Sequence, residues 1–157
     1  MSVVRQVVLR KDFMTKKLIR RLIDFSDDIE SDRPYGRVKM VAFLVHKNKI
    51  ISFGVNTEKT SLYQHRARKR SNVSDTDFIY DKTHAEIAAL KKIHPSFNDW
   101  QNTEIIVISK KKDGSFRLAR PCPICSKAIS DLGIKKIYYT NSFGGITKET
   151  FIKGDFR

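Results

Sequence analysis

Two short motifs carry the side chains best suited to chemistry. His84-Ala85-Glu86 heads the apolar run Ile87-Ala88-Ala89-Leu90, and Pro121-Cys122-Pro123-Ile124-Cys125 heads a second run toward Gly133. One imidazole and two thiolates make a soft nitrogen and sulfur donor set suited to Zn²⁺, and three protein ligands leave a fourth tetrahedral position for water. Both motifs fall at expected helix starts, where unpaired N–H groups and the positive dipole end favour thiolate over thiol. Glu86 lies two residues beyond His84. That is close enough to take a proton from a water held there and return it to a substrate without being a ligand. His84, Cys122 and Cys125 are thus the candidate metal set, and Glu86 is the candidate proton carrier.

Blander readings of the same residues stay open. Thr83-x-x-Glu86 is also a capping box, in which the carboxylate only satisfies backbone at a helix start. Cys122-x-x-Cys125 also fits a redox pair or half of a structural zinc site, although no second Cys-x-x-Cys exists in a chain with 2 cysteines. His46, His65 and His94 have no ligand spacing and are expected in loops or on the surface.

The surrounding patterns predict the elements that hold these motifs. Met14, Leu18, Leu22 and Phe25 recur at helical spacing, so a first helix is expected over 11–25. Segments 38–45 and 49–55 are rich in Val, Ile and Phe around the polar turn His46-Lys47-Asn48, and should pair as a hairpin. Between 56 and 82 the pattern dissolves, which predicts a long loop bordering the site. A second helix is expected over 83–93, then a strand over 104–109 with the continuous apolar run of a doubly buried element. A turn at Asp113-Gly114, a third helix from 122 to 133, and strands over 134–140 and 146–149 complete the order.

Helices interleaved with five strands imply an α/β fold, a mixed five-stranded sheet between helical layers. Too few residues follow Thr140 for a helical crossover plus a paired strand, so the last strand should run antiparallel to its neighbour.

At 157 residues the chain suits one domain, 1–157, with enough apolar residues for a core. No stretch is long and apolar enough to span a bilayer and 3–9 is too short for a signal sequence, so no membrane partner and a cytoplasmic location are expected. The net charge of +14 favours a phosphate-bearing partner. Arg66, Arg68 and Arg70 in the long connection are candidates to grip that phosphate through their forked guanidinium groups.

Thr83-His84-Ala85-Glu86 followed by Arg120-Pro121-Cys122-Pro123-Ile124-Cys125 resembles the zinc-dependent cytidine deaminase superfamily, with its His-x-Glu and Pro-Cys-x-x-Cys signature. The resemblance extends from the first helix onward and is to the branch with deoxycytidylate deaminases, tRNA adenosine deaminases and small phage-type relatives. It implies a three-layer α/β/α cytidine deaminase-like fold, zinc on His84, Cys122 and Cys125, and proton shuttling by Glu86. It also implies a sugar contact from Asn56, a base contact from the Ala85 backbone, homo-oligomeric assembly, and host cytoplasm as the location if phage-encoded.

Three features depart from family habits. No further Cys and His pair for a second zinc exists, Arg120 stands where tRNA adenosine deaminases carry Glu, and His84 stands where free-nucleoside deaminases use Cys. The expected activity is hydrolytic deamination of a cytosine nucleotide, dCMP or CMP, to the uracil nucleotide and ammonia. The alternatives are deamination of cytosine or adenine in single-stranded DNA or RNA, and a non-catalytic zinc-binding protein.

Overall fold

Alternation along the strands decides the architecture. The computed structural model describes residues 3–5, 14–31, 38–71 and 82–151. Within them lie β1 (Val3–Arg5), α1 (Lys16–Asp28), β2 (Met40–His46), β3 (Lys49–Val55), α2 (Leu62–Ser71), α3 (Ala85–Leu90), β4 (Thr103–Ser109), α4 (Pro123–Leu132), β5 (Lys136–Thr140) and β6 (Ile146–Phe151), with a 3₁₀ turn at Trp100–Asn102. In β2, Val41, Phe43 and Val45 face one side and Ala42 and Leu44 the other. The same alternation splits Ile106 and Ile108 from Ile105 and Val107 in β4, and Tyr138 from Ile137 and Tyr139 in β5.

The first face packs against Met14, Ile19 and Leu22 of the α1 segment, and the second against Ala67, Ile87, Ala89, Ile124 and Ile129 of α2, α3 and α4. A sheet buried on both faces accounts for β4, in which all seven residues are buried. The result is the expected three layers, one helix on one side and three on the other.

The sheet order is β1-β6-β5-β4-β2-β3. β4 and β5 are parallel and joined by α4, while every other pair is antiparallel, including β5 with the final strand β6. All five expected strands are present and the last is antiparallel. A sixth strand, the three-residue β1, adds to the free edge of β6.

Between β2 and β3, Lys47 and Asn48 have φ of 48° and 69°, the two positive values a tight two-residue hairpin requires. α1 starts at a Thr15 cap, whose side chain accepts from Leu18 N at 3.1 Å, later than the expected 11; residues 11–13 lie outside the described set. α4 ends at Gly133, whose φ of 101° is the left-handed cap expected there. The expected loop over 56–82 is corrected: it contains α2, and 72–81 lie outside the described residues. Among the described residues no helix is long and apolar enough to cross a membrane.

One contact seats the helix that matters most. Gly54 of β3 lies under α3 so closely that an added Cβ would stand 2.4 Å from Ala89 N and 2.6 Å from Ala85 O. Only glycine allows this approach.

Candidate metal and active site

The two motifs converge at adjacent helix starts. His84 is the N-cap of α3 and Cys122 the N-cap of α4, with Pro123 at the first helical position, where a missing N–H costs no intrahelical bond. Cys125 sits one turn inside and donates its backbone N–H to Cys122 Sγ at 3.5 Å.

His84 Nδ1 lies 3.5 Å from Cys122 Sγ and 3.3 Å from Cys125 Sγ, and the three ligand atoms all fall within 4.8 Å of one another. Zinc bonds of about 2.3 Å to sulfur and 2.0–2.1 Å to nitrogen would span a tetrahedral edge of about 3.6 Å, so the donor set fits zinc. It is the one such cluster among the described residues.

The electrostatics agree with that fit. A hydrogen bond from the Cys125 thiol and the neighbouring His84 draw Cys122 down to about 4. The same sulfur contact, with burial, pushes Cys125 up. Thiolate ligands bind a metal with release of their protons, so a lowered Cys122 favours metal binding.

Glu86 lies against this cluster and is 3% exposed. Burial pushes its carboxyl up, and the charge on Cys122 adds to the effect. The capping box is not formed. The Thr83 hydroxyl donates to Lys59 O at 3.0 Å, and the N-cap of α3 is His84, whose side chain makes no cap bond. The carboxylate instead bonds its own backbone N–H and the Cys125 thiol.

Scaffolding from the 56–83 region holds α3 in place. Thr57 N donates to Thr83 O and Thr83 N to Lys59 O, both at 3.0 Å, while Gln64 of α2 accepts from His84 N at 3.1 Å through its side-chain oxygen. Gln64, 2% exposed, was not foreseen from the sequence, because a single amide inside a basic stretch gives no periodic signal.

A cavity of about 250 Å³ opens at the cluster, lined among others by Asn56, Thr57, Lys82, Ala85, Glu86 and Arg120. Asn56 is buried there. Its Oδ1 accepts from Met40 N at 2.9 Å and its Nδ2 donates to Val38 O at 3.0 Å, so the amide also closes the end of β3 against β2. Ala85, the first residue of α3, is 1% exposed in the cavity wall.

Arg66, Arg68 and Arg70 lie on α2, outside the cavity lining. Arg66 and Arg70 are exposed, and Arg68 is buried with its Nη2 3.3 Å from His65 Nδ1. Lys82 and Arg120 were not singled out as site cations by sequence reading; only the fold brings them to one cavity.

Residues 15–141 match the family model described as the cytidine and deoxycytidylate deaminase zinc-binding region. No curated protein matches the chain in sequence. Among solved structures, a cytidine deaminase from Burkholderia pseudomallei is 19% identical, with a TM-score of 0.58 over 87% of this chain and 93% of that one. A dCMP deaminase from the cyanophage S-TIM5 is 21% identical in its apo form, with a TM-score of 0.48 over 82% of this chain and 86% of that one. The same cyanophage protein in complex with dCMP and dUMP is 22% identical, with a TM-score of 0.48 over 82% of this chain and 84% of that one. At 19% identity the likeness to the Burkholderia pseudomallei structure is one of fold.

Proposed function

We propose, for a chain that belongs to the family of zinc-dependent cytidine and deoxycytidylate deaminases, hydrolytic deamination of a cytosine nucleoside monophosphate, dCMP or CMP, to the uracil nucleotide and ammonia. The observation that carries this reading is the buried Glu86 carboxyl set against the His84, Cys122 and Cys125 cluster at the floor of a nucleoside-sized cavity.

His84, Cys122 and Cys125 would hold the zinc, which when bound would supply the Lewis acidity that makes water a nucleophile near neutral pH. Glu86 moves the protons. As the carboxylate it would take one proton from the water that attacks C4 and give it to ring N3, then take the second from the new C4 hydroxyl and give it to the departing amine. The C4–O bond forms first and the C4–N bond breaks after it, once the amine is protonated, so one water is consumed for each ammonia released. The Ala85 N–H, first in its helix and without an intrahelical partner, is suited to hold the base. Asn56 is suited to bear on the sugar, with its backbone bonds keeping its amide in one orientation.

The test is deamination of a panel of CMP, dCMP, cytidine, deoxycytidine, dCTP, single-stranded DNA and tRNA by the zinc-loaded protein, read by chromatography. The reading expects a monophosphate to be turned over fastest. Absence of deamination of every cytosine mononucleotide and nucleoside overturns it.

A second reading, action on single-stranded nucleic acid, has one observation in its favour. The β5–β6 turn carries Phe143, 96% exposed, and a cleft beside that turn is lined by Lys111 and Phe116. An exposed ring beside basic residues is the composition of a stacking platform. Faster turnover of DNA or tRNA than of any mononucleotide, with the steep salt dependence of counterion release, establishes this second reading instead.

A further inference from the structure

We propose that Arg120, braced from behind by Glu149 and Tyr139 and assisted by Lys82, is the element that recognises the terminal phosphate of the substrate. This rests on the nucleotide reading above and adds residues that neither metal motif includes.

The placement of charge carries the inference. Arg120 lines the cavity directly ahead of Pro121-Cys122, and its Nε donates to Glu149 Oε2 at 3.2 Å. Glu149 lies on β6 and is wholly buried, and its other oxygen accepts from Tyr139 OH of β5 at 2.5 Å. A carboxylate buried this deeply must be paired and hydrogen-bonded. Here both oxygens are, and the pairing holds the guanidinium by one edge.

Nε is taken by the brace, and the four donors of the two terminal amino groups are the fork suited to a tetrahedral oxyanion. Lys82, the other cation of the wall, pairs with Glu58 at 2.5 Å. Neither Glu58 nor Glu149 lines the cavity, whose acidic lining residue is Glu86. The counter-charges therefore lie outside the cavity lining and the cations within it. A neutral nucleoside has no use for that arrangement, and a 5′-phosphate does. Glu149 and Tyr139 act through Arg120 and are positioning residues.

The experiment compares zinc-loaded wild type with Arg120→Gln, Arg120→Lys, Tyr139→Phe and the double variant Arg120→Gln/Glu149→Gln. The double variant removes the buried charge together with its partner and so guards against misfolding, which melting curves monitor. Kinetics are measured on dCMP, deoxycytidine and an oligodeoxynucleotide with one internal dC, and equilibrium binding on dUMP and deoxyuridine, which are not turned over.

Loss of one charge-assisted contact should lower kcat/KM for dCMP about 10- to 100-fold, chiefly through KM, with dUMP binding weakened in parallel. Deoxycytidine and deoxyuridine should be nearly unaffected. Arg120→Lys should recover part of the loss, and Tyr139→Phe should move KM for dCMP with kcat unchanged. Equal losses on dCMP and deoxycytidine, or wild-type dUMP binding by Arg120→Gln, overturn the proposal while the deaminase reading stands. A selective loss on the oligonucleotide instead assigns Arg120 to a bridging phosphodiester and also overturns it. Failure of wild type on both small substrates removes the underlying reading and this one with it.

Discussion

Gly54→Ala is expected to disable the site through the seat of α3 on β3. The new Cβ would stand 2.4, 2.6 and 2.7 Å from Ala89 N, Ala85 O and Ala88 C, where ordinary contact begins at 3.4 Å. All three atoms are backbone of α3, so no side chain can swing away, and the helix or β3 must retreat by about 1 Å, a displacement that can cost about 10²-fold in rate. α3 carries Glu86, and its N-cap is the candidate ligand His84, so the retreat pulls both from Cys122 and Cys125.

Overpacking of this kind costs about 1–3 kcal/mol. For a chain of 157 residues each kcal/mol lowers Tm by about 2–4 °C. The assay is kcat for dCMP deamination with zinc content and a melting curve on the same samples. Gly114→Ala is the control, because nothing lies within 4 Å of its Cβ position. Its φ of +86° adds strain only in a surface turn, so some stability is lost and kcat is kept. Wild-type kcat and Tm in Gly54→Ala would refute the close seating of α3 on β3.

Further expectations follow from the same geometry. Glu86→Gln should lose about 10²- to 10⁴-fold in kcat while zinc content and Tm stay near wild type, since an amide hydrogen-bonds but carries no proton; near-normal turnover would reduce Glu86 to a structural role. Metal analysis should find about one zinc per chain, and Cys125→Ala should lose tight binding, because three ligands are the minimum of an open catalytic site; a content near two contradicts the single cluster. Leu22→Ala, on the opposite face of the sheet from the metal helices, should cost about 2–5 kcal/mol by chemical denaturation and leave kcat unchanged under native conditions. Asn56→Ala removes the bridge between Val38 and Met40 and should destabilise by about 1–3 kcal/mol, with any rise in KM read separately on the folded fraction.

Much of this molecule was legible in its sequence because the relevant signals are local. Alternating and continuous apolar runs marked all five longer strands, since a strand's side chains alternate faces whatever lies beyond them. His84-x-Glu86 and Cys122-x-x-Cys125 marked the donor set, since short spacing at a helix start limits where those atoms can go. Gly133 marked its own helix end through its backbone freedom.

What escaped the sequence was decided by contacts between distant segments. α2 has no apolar stripe, and its buried side chains are Gln64, Ala67 and Arg68, so packing on α4 rather than periodicity makes it a helix. The three-residue β1 exists by pairing with β6, at the other end of the chain. Arg66, Arg68 and Arg70 looked suited to a phosphate because they are dense in sequence, yet their helix carries them outside the cavity lining. Lys82 and Arg120 are isolated in sequence and meet only when β3, α3 and α4 close around one space. Charge is visible residue by residue, but the cavity it faces is formed by segments remote along the chain, and that arrangement exists only in the folded structure.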